Sequence, residues 1–486
     1  MKEQNRVVSD IMVIIKKAMT KYFLTPLLLV IFLSINIQHL SAGYVSEYQV
    51  KGIIVDTIRC KSNPKFSYAL YLPTNYSDVK KWPVIFVFDP GARGKVAVSG
   101  FVQAAEKLGF IIVCSNNSRN QLPENELSEA INSLFLDVED RFSIDIRRIY
   151  TAGFSGGSRI ASMIALQNKI VSGVIACGAG FPGESDFRNT LSFSYIGLVG
   201  NRDMNYIEMC DLVKKMDNLG MNIEIRIFNG GHSWPSSDLL LEAVEWMELQ
   251  AMNKGTKIKN PAFINAQFEK YNRKARLLLK NGKLTESALA FEYLIKDFPN
   301  HVTSMKLNET LDSLEKSSGY IKALRNWNKN REWELEMQNN LISKVLKQAR
   351  AGSLPDSIRI SVSSQIKMLR YLETTKDTNN QLTASRVLML LNTVCFETGR
   401  TYFSLKQFKA ASICYQVQSM VEPKDNSIQF LLAKVYALDN DTDNSLKSLE
   451  KAIKLGFNNR KLIESDPAFL PLKNQKKFRD ILMELK

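Results

Sequence analysis

Between residues 45 and 252 the chain alternates short apolar runs with amphipathic stretches, and that alternation leaves few folds open. The runs are YALYLP (68–73), VIFVFD (84–89), FIIVCSN (110–116), IYTAGFS (149–155), GVIACGAG (173–180), YIGLVGN (195–201) and IEIRIFNGG (223–231). Stretches 99–108, 127–139, 156–168, 207–219 and 237–250, which lie between most of them, carry a helical period. Apolar β-branched runs joined by helices need cover on both faces, so the pattern predicts a mostly parallel sheet between two helical layers. Segment 47–60 is expected to add antiparallel edge strands.

Past Met252 the pattern changes. GTKIKNPAF is polar, with Gly, Lys and Pro, and the stretch 253–265 reads as a linker. The remainder of the chain has helical period with almost no strand-like runs. The expected fold class is therefore an α/β domain over 43–252 followed by an all-α domain over 266–486. A chain of 486 residues suits two or three domains.

The net charge of +15 is uneven: residues 43–252 carry 20 Lys and Arg against 23 Asp and Glu, while 253–486 carry 39 against 24. The basic excess belongs to the helical half. No cluster of arginines with interleaved aromatics accompanies it, so no nucleic-acid partner is expected; the charge reads as a solvated lysine-rich helical surface, with an anionic partner such as a membrane surface as the alternative.

At the N-terminus, Lys16, Lys17 and Lys21 precede an apolar stretch from Tyr22 to Ile35, and the small residues Ser41, Ala42 and Gly43 come after it. This layout predicts a signal peptide over 1–42, cut after Ala42, and hence export to the periplasm or beyond. The stretch is short for a spanning helix, which needs about 20 residues. Membrane attachment is expected only if it is left uncleaved. None of the six cysteines is in C-x-x-C spacing or beside a histidine, so no metal site is expected. Disulfides are open to an exported protein, although Cys114 and Cys177 lie in strand-like runs and read as small packed hydrophobes.

The helical half contains a repeat. Gly399, Tyr402, Lys406, Phe408, Ala411, Tyr415 and Pro423 form one copy; 34 positions on, Gly399 falls on Ala433 and Tyr402 on Tyr436. Upstream, Gly282, Leu284, Phe291 and Pro299 keep the same spacing, with Ser287 where an alanine is usual. Small residues let paired helices approach, and aromatics fill the gaps. This resembles tetratricopeptide repeats over 266–300 and 392–457; residues 301–391 match poorly, and DPAFLPLKNQKKFRDIL resembles a capping helix. The resemblance implies a concave surface that binds a protein partner, with a ligand-free solenoid as the alternative.

Gly153-Phe154-Ser155-Gly156-Gly157 fits G-x-S-x-G, after the strand IYTAG and before the helix SRIASMIALQN. A serine there needs a base. Of three histidines, His39 lies in the signal segment, His301 lies among the repeats, and His232 comes directly after the last apolar run of the sheet domain. Asp203, just past YIGLVGN, is the expected acid that orients it, with Asp211 and Asp238 as substitutes and helix capping as its other use. An oxyanion needs N–H donors. Gly156 is expected to supply one. The loop Asp89-Pro90-Gly91-Ala92-Arg93 is expected to supply the other, from Ala92 or Arg93, with Ala92 favoured; Pro90 has no N–H. Arg93 either contacts an acidic substrate group or is a loop cation. Phe154 and Trp234 either line the substrate pocket or only pack.

With the chain order Ser155, Asp203, His232, residues 60–252 resemble the α/β-hydrolase superfamily, in its secreted esterase branch of polyhydroxybutyrate-depolymerase-like, feruloyl-esterase-like and dienelactone-hydrolase-like proteins. The Asp89-Pro90-Gly91 sequence departs from the His-Gly of many relatives. The resemblance implies acyl transfer from a small ester or acylated substrate to water, with no metal or organic cofactor. A serine peptidase, or an envelope scaffold with a non-catalytic hydrolase module, are the alternatives.

Overall fold

The computed structural model describes residues 50–183, 192–299 and 304–485. The expected signal segment, with His39, and His301 lie outside them. The chain divides into two compact units, the first running through Trp327 and the second from Asn328.

The first unit is built on a sheet of eight strands: β1 (Ile54–Arg59), β2 (Ser67–Tyr71), β3 (Trp82–Phe88), β4 (Ile111–Ser115), β5 (Ile144–Phe154), β6 (Val171–Cys177), β7 (Ser194–Gly200) and β8 (Ile223–Phe228). Their order is β1-β2-β4-β3-β5-β6-β7-β8. β2 pairs antiparallel with both β1 and β4, and every other pairing is parallel. The antiparallel contribution thus extends one strand beyond segment 47–60. Connecting helices are α1 (Gly94–Leu108), α2 (Glu124–Arg141), α3 (Gly156–Gln167), α4 (Tyr206–Asp217) and α5 (Ser237–Asn253).

Side chains alternate across the strands, and each face has its own core. Val84, Phe86 and Phe88 of β3 pack on one face with residues of α2, α3 and α4. Ile85 and Val87 pack on the other with residues of α1 and α5. This double cover is why the strands read as continuous apolar runs. After β3 the chain crosses to β4 on one side and then returns to β5 on the other. The strand order therefore reverses between β3 and β5, the place where open α/β sheets bind ligands at their carboxyl ends.

Packing does not stop at the expected linker. Helices α6 (Pro261–Lys280), α7 (Leu284–Asp297) and α8 (Ser304–Glu315) share a core with Leu249 of α5, through Phe268, Ala275, Phe291, Leu294, Leu307 and Leu314. Trp246 Nε1 and Gln250 Nε2 each donate to Asp297 at 2.8 Å. Ile225 N–H of β8 donates to the Tyr293 hydroxyl at 3.1 Å. The unit therefore extends well past 253–265.

Helix α9 (Ser318–Ala351) enters the second unit, which continues through α10 (Asp356–Glu373), α11 (Thr378–Ser404), α12 (Phe408–Val421), α13 (Asn426–Leu438), α14 (Thr442–Lys454), α15 (Arg460–Ser465), a 3-10 turn (Pro467–Leu472) and α16 (Lys476–Met483). Paired helices meet through small residues. Ser445 Oγ donates to the Ala433 carbonyl, 12 residues earlier, at 2.8 Å. Ser287 does the same to Ala275, also 12 residues earlier, at 3.0 Å in the first unit. Gly399 and Ala411 keep that spacing, and a methyl on Gly399 would meet the Tyr415 ring. All six cysteines are unbridged, and Cys114 and Cys177 are buried in β4 and β6. Among the described residues, no helix is long and apolar enough to cross a membrane.

Candidate active site

β5 ends at Phe154 and α3 begins at Gly156, so Ser155 makes the whole turn between strand and helix. Its φ of 52° and ψ of −120° lie where a non-glycine residue is strained. The surroundings hold it there. Ser155 N–H donates to the Cys177 carbonyl at 2.8 Å, extending the β5–β6 ladder, and its carbonyl accepts from Ser158 N–H at 3.0 Å, opening the helix. The turn also demands glycine at its flanks: a side chain on Gly153 would strike the Gly157 backbone, and one on Gly157 the Phe88 carbonyl. As the first helical residue, Gly156 has no intrahelical acceptor for its N–H, and it finds none elsewhere among the described residues.

The loop after β8 brings His232 to this turn. His232 Nε2 lies 2.8 Å from Ser155 Oγ. Its Nδ1 lies 2.9 Å from both oxygens of Asp203, whose side chain is fully buried. A carboxylate only accepts, so Nδ1 carries the proton and the unprotonated Nε2 faces the serine hydroxyl. His232 thus takes Asp203 rather than Asp211 of α4 or Asp238 of α5.

Neighbouring loops fix both partners. Asn205 N–H donates to Asp203 at 2.9 Å, and Asn205 Nδ2 to the Gly178 carbonyl at 2.7 Å. Asn201 N–H and Arg202 N–H donate to the carbonyls of Phe228 and Gly230, tying the acid loop to the histidine loop. Gly178 has a φ of 66°, and a Cβ there would lie 3.0 Å from Phe154, 3.1 Å from Asp203 and 3.3 Å from His232. A side chain would wedge the pair apart. Beside it, Glu208 accepts from Gly180 N–H and from both terminal nitrogens of Arg159. Burial raises the Glu208 pKa most, but Arg159 together with the Gly180 N–H and the nearby His232 holds it below the ordinary value.

The loop after β3 departs from expectation. Asp89 is fully buried, and it gathers the loop onto itself. Its carboxylate accepts from Gly91 N–H at 2.8 Å, Arg93 N–H at 3.3 Å, and the Arg93 guanidinium through Nε at 2.9 Å and a terminal nitrogen at 2.8 Å. Trp234 Nε1 donates to it at 2.9 Å. Burial would raise the Asp89 pKa, but these donors together hold it below the ordinary carboxylate value. Ala92, at φ 55°, donates its N–H to the Asp89 carbonyl at 3.0 Å. Ala92, expected to supply an oxyanion donor, has its N–H engaged by the turn, and Arg93 N–H faces Asp89.

Phe154, Arg93 and Trp234 each rest against a neighbouring group of the site. Phe154 is buried on the β5 side of the core, with its ring 4.6 Å from the His232 imidazole and 5.6 Å from Trp234. Its ring packs against the histidine. Arg93 is exposed, but its guanidinium is held on Asp89. Trp234 is half-buried and bridges the histidine loop to Asp89. Gly178, Asn205 and Glu208 are site neighbours that periodicity does not reveal; the only signal is the glycine pair that closes GVIACGAG.

No protein family's sequence profile matches the chain, and no curated protein matches it in sequence. Among solved structures it is similar to a substrate-bound fluorophosphonate-binding serine hydrolase of Staphylococcus aureus, at 12% identity over 41% of this chain and 99% of that one, with a TM-score of 0.34. It is also similar to a ferulic acid esterase, at 19% identity over 40% of this chain and 96% of that one, with a TM-score of 0.34. An esterase of Pyrobaculum calidifontis shares 12% identity over 42% of this chain and 86% of its own, with a TM-score of 0.35. The sheet unit is an eight-stranded, mostly parallel sheet covered by helices, and a region of many helices comes after it.

Proposed function

We propose that the chain is a serine hydrolase that cleaves carboxylic esters by acyl transfer, with Ser155, His232 and Asp203 as its triad. The observation that carries this is the continuous hydrogen-bonded line from Ser155 Oγ through His232 to buried Asp203, ending on a strained strand-to-helix turn. Ser155 Oγ attacks the ester carbonyl as His232 Nε2 takes its proton. The tetrahedral oxyanion accepts from Gly156 N–H. His232 returns the proton to the leaving alcohol, and the C–O bond breaks. Water then attacks the acyl-enzyme, giving its proton to Nε2, and Ser155 recovers its hydroxyl as the acid leaves. Asp203 keeps the proton on Nδ1 throughout and stabilises the imidazolium.

The proposal extends to an exported protein whose helical repeats hold a protein partner. Hydrolysis of p-nitrophenyl acetate, butyrate and octanoate by residues 43–486 tests the activity, beside Ser155→Ala and His232→Ala. Each variant is expected to lose about 10⁴-fold or more in kcat. Equal rates in wild type and Ser155→Ala would refute the reading, and faster cleavage of dipeptide amides than of esters would favour a peptidase.

A further inference from the structure

An oxyanion hole built from one N–H is incomplete. With Gly91, Ala92 and Arg93 turned onto Asp89, the loop after β3 offers no second donor. A different loop reaches the same place. Residues 116–123 join β4 to α2, and they are zipped to the Asp89 loop. Asn120 N–H donates to the Pro90 carbonyl at 2.9 Å, and Arg119 forms an antiparallel bridge with Gly91.

This attachment sets the Asn120 carboxamide on Gly156. A Cβ placed on Gly156 would collide with Asn120 Oδ1, and it would lie 2.9 Å from Cγ and 3.3 Å from Nδ2. The second x of G-x-S-x-G is thus a glycine whose missing side chain is replaced in space by Asn120. The carboxamide makes no hydrogen bond among the described residues. Rotation about χ2 exchanges its oxygen and its NH₂, so its donor can take either position. A primary amide against Gly156, the residue that carries the first N–H of α3, has the chemistry of an oxyanion donor.

We propose that Asn120 Nδ2 is the second oxyanion donor, acting with Gly156 N–H on the tetrahedral intermediate formed at Ser155. This rests on the reading of Ser155 as nucleophile. The role predicts that Asn120 acts on the transition state and little on the bound ester. Asn120→Ala in the full chain is expected to lower kcat about 10²- to 10³-fold with KM within a few-fold. The isosteric Asn120→Asp is expected to fall further, since a carboxylate repels the oxyanion. Both keep a side chain on an exposed loop position, so their melting temperatures should match wild type.

The experiment is p-nitrophenyl butyrate turnover by wild type, Ser155→Ala, Asn120→Ala and Asn120→Asp, with inhibition by an alkyl trifluoromethyl ketone, whose adduct carries an oxyanion. Support requires that Ki for the ketone weakens in step with the loss in kcat. A kcat for Asn120→Ala within threefold of wild type, a loss confined to KM, or an unchanged Ki overturns the proposal while leaving the triad standing. Equal activity in Ser155→Ala and wild type removes the triad reading itself.

Discussion

Asp203 shows how much one side chain decides. Both its oxygens face His232 Nδ1, and it also accepts from Asn205 N–H. In Asp203→Asn the carboxamide oxygen will take the backbone N–H and leave NH₂ towards the histidine. That favours the tautomer with the proton on Nε2, which cannot accept from Ser155. We expect kcat to fall about 10⁴-fold with little change in melting temperature, measured by ester turnover and thermal unfolding; retention of more than a tenth of the activity would contradict the tautomer argument. Ser155, Asp203 and His232 are legible in the sequence because each sits just past an apolar strand, and the domain has no other described histidine. The turn that engages the Ala92 N–H was not legible, because strand and helix periods say nothing about turn chemistry. The clue was local: an aspartate two residues before a glycine readily turns its carboxylate onto the N–H groups just after it.

At the scale of elements, α7 docks through Asp297, which is buried against Glu224 of β8 and accepts from Trp246 and Gln250. Burial first, and then the Glu224 carboxylate, push the Asp297 pKa well above its ordinary 3.8, against those two donors. The folded state therefore holds a proton that the unfolded chain releases. Its stabilising effect is complete below the ordinary value and is lost as pH rises through the folded one. Asp297→Asn gives up one of the two acceptor oxygens but cannot ionise at any pH. Thermal melts from pH 4 to pH 8 should show the variant gaining on wild type as pH rises. A gap that is flat or that narrows would mean Asp297 is ionised when folded. Sequence reading missed this docking because the polar stretch after Met252 has the composition of a linker, and only the partners of Trp246 and Leu249 show that the core continues.

For the whole molecule, the cut that composition suggests and the cut that packing suggests differ. Residues 43–252 alone would leave Trp246 and Leu249 without Asp297, Phe268 and Phe291. We expect that fragment to aggregate, and residues 43–327 to be monodisperse with ester turnover like the full chain, as judged by size-exclusion chromatography. A soluble, active 43–252 fragment would show that α6 and α7 are dispensable. The helical nature of the second half was readable from period alone, whereas the share of its first helices that belongs to the sheet unit was not, because amphipathic helices do not name the surface they cover. The bond from Ile225 to Tyr293 carries one more consequence. β8 is the last strand of its sheet, yet its outward N–H is already capped by a side chain of the same molecule. A second copy laying a strand along β8 would have to displace the Tyr293 hydroxyl from that N–H first.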